Sequence, residues 1–397
     1  MMQDDEVTPG RARPIKPGRR RLKIAIATLG RFHVLDLARE LAALGHEVRF
    51  YSYVPKRRAI RFGLPADCHV ALLPWLFPVV FLQLLLGNRV TAFLERILFP
   101  WANRVLQWRL ECCDVFIGMS GLCLEAAMQA KKRFGARVIL ERGSRHILSQ
   151  KRILAAIPGA AGPTSFVVKR ELAGYQAADM ISVPSRHVVE SFEEHGFPRE
   201  RLMVNPYGVD FARFQSMPLR QPPSYDVIFV GGWTLQKGCD TLVLAMNIAN
   251  ELRMLHVGQM GDAPFPSINT MSSIGPIDQL ELPAAYGTAK VLVLPSRQEG
   301  LALVQIQALA CGLAVVCTDR TGGADLQDWI QFPEAIVVVP IDDPIALAEG
   351  MRKAIAVSDR LRGQDLLGAA GRSYLSWTAY GRRYEDCLYE LLERSSR

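Results

Sequence analysis

The stretch that decides the fold runs from Pro295 to Gly323, PSRQEGLALVQIQALACGLAVVCTDRTGG. The apolar run Lys290–Leu294 precedes it and reads as a buried strand. A polar turn then presents Glu299 and Gly300, and Leu303–Ala310 reads as a helix that carries Gln307. Leu313–Cys317 reads as the next strand, and Thr321-Gly322-Gly323 as a second glycine turn. Strand, helix and strand without a hairpin turn form one βαβ crossover, the unit of a parallel sheet.

The same rhythm extends outward in both directions. Towards the C-terminus, Ala335–Val339 reads as a strand and Pro344–Ala354 as a helix. Towards the N-terminus, strands are predicted at Asp226–Gly231 and Arg253–Val257, with helices near Asp240–Ala249 and Gln279–Tyr286. A proline-rich break, Arg213–Tyr225, interrupts the pattern. Before the break the rhythm recurs, with strands at Lys23–Thr28, Glu47–Ser52, Asp114–Gly118, Arg137–Glu141, Asp179–Val183 and Leu202–Asn205. Two doubly wound α/β domains in tandem are expected, over 23–212 and 213–375. The 397 residues agree, since about 150 residues make a typical domain.

Composition narrows the class. The chain is 49% hydrophobic and 22% charged, an ordinary globular balance that excludes a disordered protein. Its net charge is +8, and half of that excess lies in residues 1–23, where seven basic residues face three acids. Residues 1–22 are therefore expected to be a flexible basic leader, suited to an anionic membrane surface. Aromatics are few near the basic runs, so no nucleic-acid partner is expected. Eight scattered cysteines show no Cys-x-x-Cys pair or zinc spacing, which points to buried thiols, a reducing cytoplasm and no metal. Ala71–Gly87 is strongly apolar but short for a spanning helix and broken by Pro74 and Pro78. With Arg89–Glu111 it reads as an amphipathic helical pair that either packs internally or meets a membrane interface.

In open α/β sheets ligands gather beyond the carboxyl ends of the strands. After the first strand of the second domain comes Gly231-Gly232-Trp233-Thr234-Leu235-Gln236-Lys237-Gly238. Its glycines admit close backbone approach, and Lys237 supplies a point charge suited to a diphosphate. It matches neither a Walker loop nor a GxGxxG fingerprint. The amides of Gly300, Leu301, Ala302 and Leu303, at a helix start, favour an anion, and Glu299 beside them suits sugar hydroxyls. Strand ends of the first domain offer Gly30 and His33, then Arg142, Arg145 and His146.

At these residues the chain resembles a family-4 retaining glycosyltransferase of GT-B architecture, two Rossmann-like domains facing across a cleft. Glu299-Gly300-Leu301-Ala302-Leu303 with Ala308-Leu309-Ala310-Cys311-Gly312-Leu313, Asn205–Asp210, and Ile228–Gly231 with Lys237-Gly238 carry the likeness. Val183-Pro184-Ser185, Gly45–Val48 and Ser376-Trp377 add to it. The resemblance implies that Lys237 binds the donor diphosphate and Glu299 the donor sugar. His146 would lie at the sugar, with Gly30, His33, Arg142 and Arg145 towards the acceptor. It implies a nucleotide-sugar donor, a lipid-linked or polysaccharide acceptor, no cofactor and no metal. A C-terminal helix, 376–397, is expected to pack back on the first domain. Two family features are changed: Gln307 stands where a ribose-binding glutamate is usual, and Gly232 where a basic residue is usual, with Arg320 a possible substitute. A nucleotide-sugar epimerase and a non-catalytic partner subunit are the competing readings. The enzyme reading places the chain at the cytoplasmic face of the plasma membrane, as a peripheral protein in lipopolysaccharide or capsule synthesis.

Overall fold

The computed structural model describes residues 19–30, 32–75, 91–215 and 223–394. Most of the expected leader, and the centre of the apolar 71–111 segment, lie outside these residues. Contacts divide the chain into two compact units. One holds the chain up to Arg142 with Thr164–Ser182 and Gly381 onward; the other holds Gly143–Pro163 and Val183–Tyr380.

Seven strands form the first sheet: β1 Lys23–Thr28, β2 Glu47–Ser52, β3 His69–Ala71, β4 Val115–Met119, β5 Arg137–Glu141, β6 Met180–Val183 and β7 Leu202–Val204. Their order is β3-β2-β1-β4-β5-β6-β7. From β3 to β6 neighbouring strands pair in parallel. The second sheet comprises β8 Tyr225–Val230, β9 Met254–Val257, β10 Met271–Ser273, β11 Ala289–Leu294, β12 Ala314–Thr318 and β13 Ile336–Val339. It runs β10-β9-β8-β11-β12-β13, parallel throughout.

Burial explains the near-continuous apolar strands. β11 and β12 are buried along almost their whole length, as helix-covered parallel strands must be. In each sheet the strand order reverses beside the first strand, between β1 and β4 and between β8 and β11. Those are the switch points where an open α/β sheet offers its ligand crevice.

Two short strands, β3 and β10, were not legible as strands in the sequence, and both lie at sheet edges. Of the expected leader, the described residues Arg19 and Arg20 are tied down. Arg19 pairs with Asp386 at 2.6 Å and stacks on Tyr389, and Arg20 pairs with Asp114 at 2.8 Å. From Gly381 onward the C-terminal helix Trp377–Glu393 lies in the first unit, where buried Glu385 meets buried His46 at 3.0 Å.

Within 71–111 the structure describes the helix Thr91–Arg109, which runs through Pro100. Ala102, Val105 and Leu106 are buried, and the helix packs on Leu124–Phe134. Its other face leaves Ile97, Trp101 and Trp108 exposed, and Trp75 packs edge-on against Trp108. No helix among the described residues is long and apolar enough to cross a membrane.

Candidate functional site

The second unit gathers its polar loops at the carboxyl ends of β8, β11 and β12. After β8 the chain turns through Gly231 and Gly232 onto buried Trp233. Thr234 caps a short 3-10 turn, Leu235–Lys237, by accepting from the Lys237 N–H at 3.3 Å. Gly238 then adopts φ 71°, and a Cβ there would lie 2.1 Å from the Pro295 carbonyl oxygen. Both the backbone and the space demand glycine, so this turn is locked against the loop that follows β11. Buried Arg297 adds a second lock. It pairs with Asp240 at 2.7 Å and with Asp342 at 2.6 Å, and donates to the Leu235 carbonyl.

This packing brings Lys237 to Glu299. Their side chains form a direct ion pair, partly accessible, across 62 positions of sequence. Glu299 is itself fixed through its backbone. Its N–H donates to the Arg320 carbonyl at 2.9 Å, and its carbonyl accepts from His187 Nε2 at 2.9 Å. The next carbonyl, Gly300, accepts from the Ser185 hydroxyl at 2.9 Å. A Cβ on Gly300 would lie 2.3 Å from the Gly143 carbonyl oxygen, so the 143–146 loop closes over this turn. Ser144 reinforces the closure by donating to Gln298 Oε1.

A second histidine-centred contact holds the β8 loop. His256 Nε2 donates to the Gly231 carbonyl at 2.9 Å, and its Nδ1 meets the Ser273 hydroxyl at 2.9 Å. Its ring stacks on Phe229 and Phe265 beside Trp233. Burial holds the His256 pKa below the ordinary imidazole value, which matches a neutral ring donating from one nitrogen.

The other expected residues fall in varied places. Leu301 and Ala302 lead into the helix Leu303–Ala310, beside Glu299. Gln307 is buried, and its Oε1 accepts from the buried Tyr286 hydroxyl at 3.3 Å. Arg320 is half-buried and lies 3.5 Å from Asp319. His146 is buried rather than presented to the loops. Its ring accepts from the Leu148 N–H at 3.3 Å, stacks on His195 at 4.3 Å and meets Phe192 edge-on. These contacts cap a helix and pack the ring. Arg145 is buried 3.6 Å from Glu194, and burial, with Arg320 adding to it, holds its guanidinium below the usual value.

The first unit has its own cluster at the carboxyl ends of β1, β4 and β5. His33 Nε2 meets Glu141 Oε2 at 2.7 Å, with both side chains buried. Arg142 pairs with Glu171 at 3.0 Å, and the Ser120 hydroxyl donates to the same carboxylate. Gly30 accepts from the Thr28 hydroxyl at 3.1 Å. The sequence shows Glu141 only as a strand end and Glu171 not at all. Ser185 is visible only as part of a loose motif, and His187 two residues on carries no sequence signal.

Comparison with known proteins now assigns the class. Residues 30–208 match the model of the glycosyl transferase 4-like domain, and residues 224–356 match that of the glycosyl transferases group 1. Together these cover most of the chain, which belongs to the group 1 glycosyltransferases. It is similar to a D-inositol 3-phosphate glycosyltransferase of Pseudarthrobacter chlorophenolicus, at 29% identity over 46% of this chain and 51% of the relative. The match thus spans about half the length of that relative. A D-inositol 3-phosphate glycosyltransferase of Xylanimonas cellulosilytica is 24% identical over 86% of both chains. Among solved structures, a sucrose-phosphate synthase from Thermosynechococcus elongatus superimposes with a TM-score of 0.70 at 19% identity, over 94% of this chain and 100% of that one. HepE from Anabaena, solved with UDP and glucose, gives 0.65 at 14% identity, over 93% and 99%. These likenesses establish a GT-B fold of two parallel-sheet α/β domains.

Proposed function

We propose that the chain transfers a hexosyl group from a nucleoside diphosphate sugar to a lipid-linked or surface-polysaccharide acceptor, with retention at the anomeric carbon. The observation that carries this reading is the Lys237–Glu299 pair, held at the β8/β11 switch point by two glycine turns. Lys237 binds the diphosphate and stabilises the charge that grows on it as the sugar leaves, which is electrostatic catalysis. Glu299 turns its carboxylate from lysine to the sugar hydroxyls. The Gly300–Leu303 backbone, leading into a helix, adds N–H donors for the anion. Retention follows front-face attack by the acceptor hydroxyl, with no protein nucleophile required. UDP is the favoured nucleotide, because HepE of the same fold is solved with UDP and glucose.

The first unit binds the acceptor, with the His33–Glu141 and Arg142–Glu171 pairs as polar partners. A peripheral position on an anionic membrane, at its cytoplasmic face, is supported by exposed Trp75, Trp101 and Trp108 and by the exposed basic residues of the helix Lys56–Arg61. Tryptophan suits an interface that is apolar on one side and wet on the other.

A thermal-shift panel of UDP-glucose, GDP-mannose and dTDP-glucose tests the donor. A ligand at about 100 times its Kd adds ~2.7 kcal/mol of stability. UDP-glucose is expected to raise Tm, and Lys237→Met to abolish the rise. Silence of all three overturns the donor site. Co-sedimentation with anionic but not zwitterionic vesicles tests the membrane contact.

A further inference from the structure

We propose that His187 is a positioning residue of the donor loop, and that it takes up a proton when a nucleoside diphosphate sugar occupies that loop. This inference rests on the donor-site reading above. Hydrogen counting carries it. His187 Nε2 lies 2.9 Å from the Glu299 carbonyl oxygen, which only accepts, so Nε2 bears a proton. The Ser185 hydroxyl lies 2.9 Å from the Gly300 carbonyl oxygen and 3.0 Å from His187 Nδ1. That hydroxyl has a single proton. In the neutral ring, Nδ1 is a lone pair and competes with the Gly300 carbonyl for it. In the imidazolium, Nδ1 donates to Ser185 Oγ, Ser185 donates to Gly300, and every group is satisfied.

The consequence reaches the ligand through the planar trans peptide. The Glu299 carbonyl shares its plane with the Gly300 N–H, and the Gly300 carbonyl with the Leu301 N–H, each pair pointing in opposite directions. Gripping both carbonyls from the side of Ser185 and His187 aims both N–H groups away from it. Those are two of the amides assigned to the donor. Protonation therefore completes the clamp on the second of them.

The surroundings set the direction of coupling. Burial first, then the guanidiniums of Arg145 and Arg320, hold His187 below the ordinary imidazole pKa, while the Glu299 carbonyl and Asp325 favour its charge. Arg186, on the same helix, is engaged by Asp325 at 3.2 Å and Asp328 at 2.5 Å. The Glu299 carboxylate is engaged by Lys237. A bound diphosphate brings negative charge to this cationic surround and shifts the balance towards the imidazolium.

The test uses UDP-glucose, whose diphosphate is doubly esterified and does not titrate between pH 6 and 8. Affinity is expected to be about three- to tenfold higher at pH 6 than at pH 8, within the tenfold per pH unit that one proton allows. Calorimetry near pH 6.5 in two buffers of different ionisation enthalpy should show fractional proton uptake on binding, a readout that needs no variant. His187→Gln keeps a donor for the Glu299 carbonyl and should bind with a flat pH profile. Wild-type binding without pH dependence or proton uptake overturns the clamp while leaving the donor site intact. A wild-type slope in His187→Gln also overturns it. Absence of binding by UDP-glucose, GDP-mannose and dTDP-glucose alike overturns the donor-site reading, and the clamp with it.

Discussion

Replacing Gly238 by alanine probes the packing that delivers Lys237 to Glu299. Two costs are separable. A non-glycine residue at φ 71° pays about 1–2 kcal/mol for the left-handed conformation. A Cβ 2.1 Å from the Pro295 carbonyl oxygen must push backbone aside, and overpacking of that kind costs about 1–3 kcal/mol. The total is roughly 2–5 kcal/mol, and for a unit of this size each kcal/mol lowers Tm by about 2–4 °C. Gly238→Ala is thus expected to lose roughly 4–20 °C by calorimetry. Two controls divide the effect. Gly363 has φ 80° with no atom near a Cβ, so Gly363→Ala should show the conformational cost alone, roughly 2–8 °C. Gly287 has φ −61° and its nearest atom at 3.4 Å, so alanine there should carry neither cost and raise Tm by roughly 1–4 °C. Equal losses in Gly238→Ala and Gly363→Ala would refute the close approach to Pro295. No loss in either would refute the reasoning as a whole.

Glu299→Gln removes the carboxylate while keeping its hydrogen-bonding shape. Transfer is expected to fall about 10²–10³-fold in kcat with an unchanged Tm, and wild-type turnover would exclude a role at the sugar. His46→Ala removes one hydrogen-bond partner of the buried Glu385 carboxylate, which keeps Arg19 at 3.6 Å, and strands the Leu22 N–H that donates to His46 Nδ1 at 3.3 Å. Leaving a buried donor without its partner costs about 1–3 kcal/mol, read as a lower Tm and faster amide exchange in Trp377–Glu393; unchanged exchange would show the contact is idle. Acid should destabilise the fold early. Burial holds His46, His69, His187 and His256 below the ordinary 6.5. The unfolded chain therefore binds more protons at these four sites as the pH falls through about 6.5, and the stability they leave intact at neutral pH is lost progressively below it. Tm at pH 5.5 should lie below Tm at pH 7.5, and the reverse order would contradict the assignment of buried neutral imidazoles.

Much of the fold was legible because burial writes itself into composition. A helix-covered parallel strand has two apolar faces, so runs such as Lys290–Leu294 stand out, and Leu303–Ala310 was legible to the residue. The edge strands β3 and β10 have one neighbour and three residues each, and their sequences carry too little apolar pattern to see. Arg297 reads as one more polar residue of a turn, yet it is buried between Asp240 and Asp342, partners 57 and 45 positions away. Glu141 and His33 are 108 positions apart, and only the order β1-β4-β5 brings them together. Pairings of this kind depend on strand order, which local periodicity does not encode.

The candidate site divides along the same physical line. A group that meets a diphosphate must be a cation or an amide, and one that meets sugar hydroxyls must be a hydrogen-bonding side chain. Residue type therefore reveals Lys237 and Glu299, and the fold has only to bring them together. A group that holds a backbone carbonyl needs only one donor in the right place. Histidine, serine, lysine, asparagine or another N–H all suffice, so residue type says little, and His187, His256 and Ser185 stayed hidden. Gln307 shows the converse. Its position promises a ribose contact, but a buried tyrosine hydroxyl also needs an acceptor, and Gln307 supplies one to Tyr286. A neutral amide can serve that core hydroxyl without the desolvation penalty that a glutamate would carry. On this argument Gln307→Glu would cost stability, because the carboxylate would be buried against a phenol.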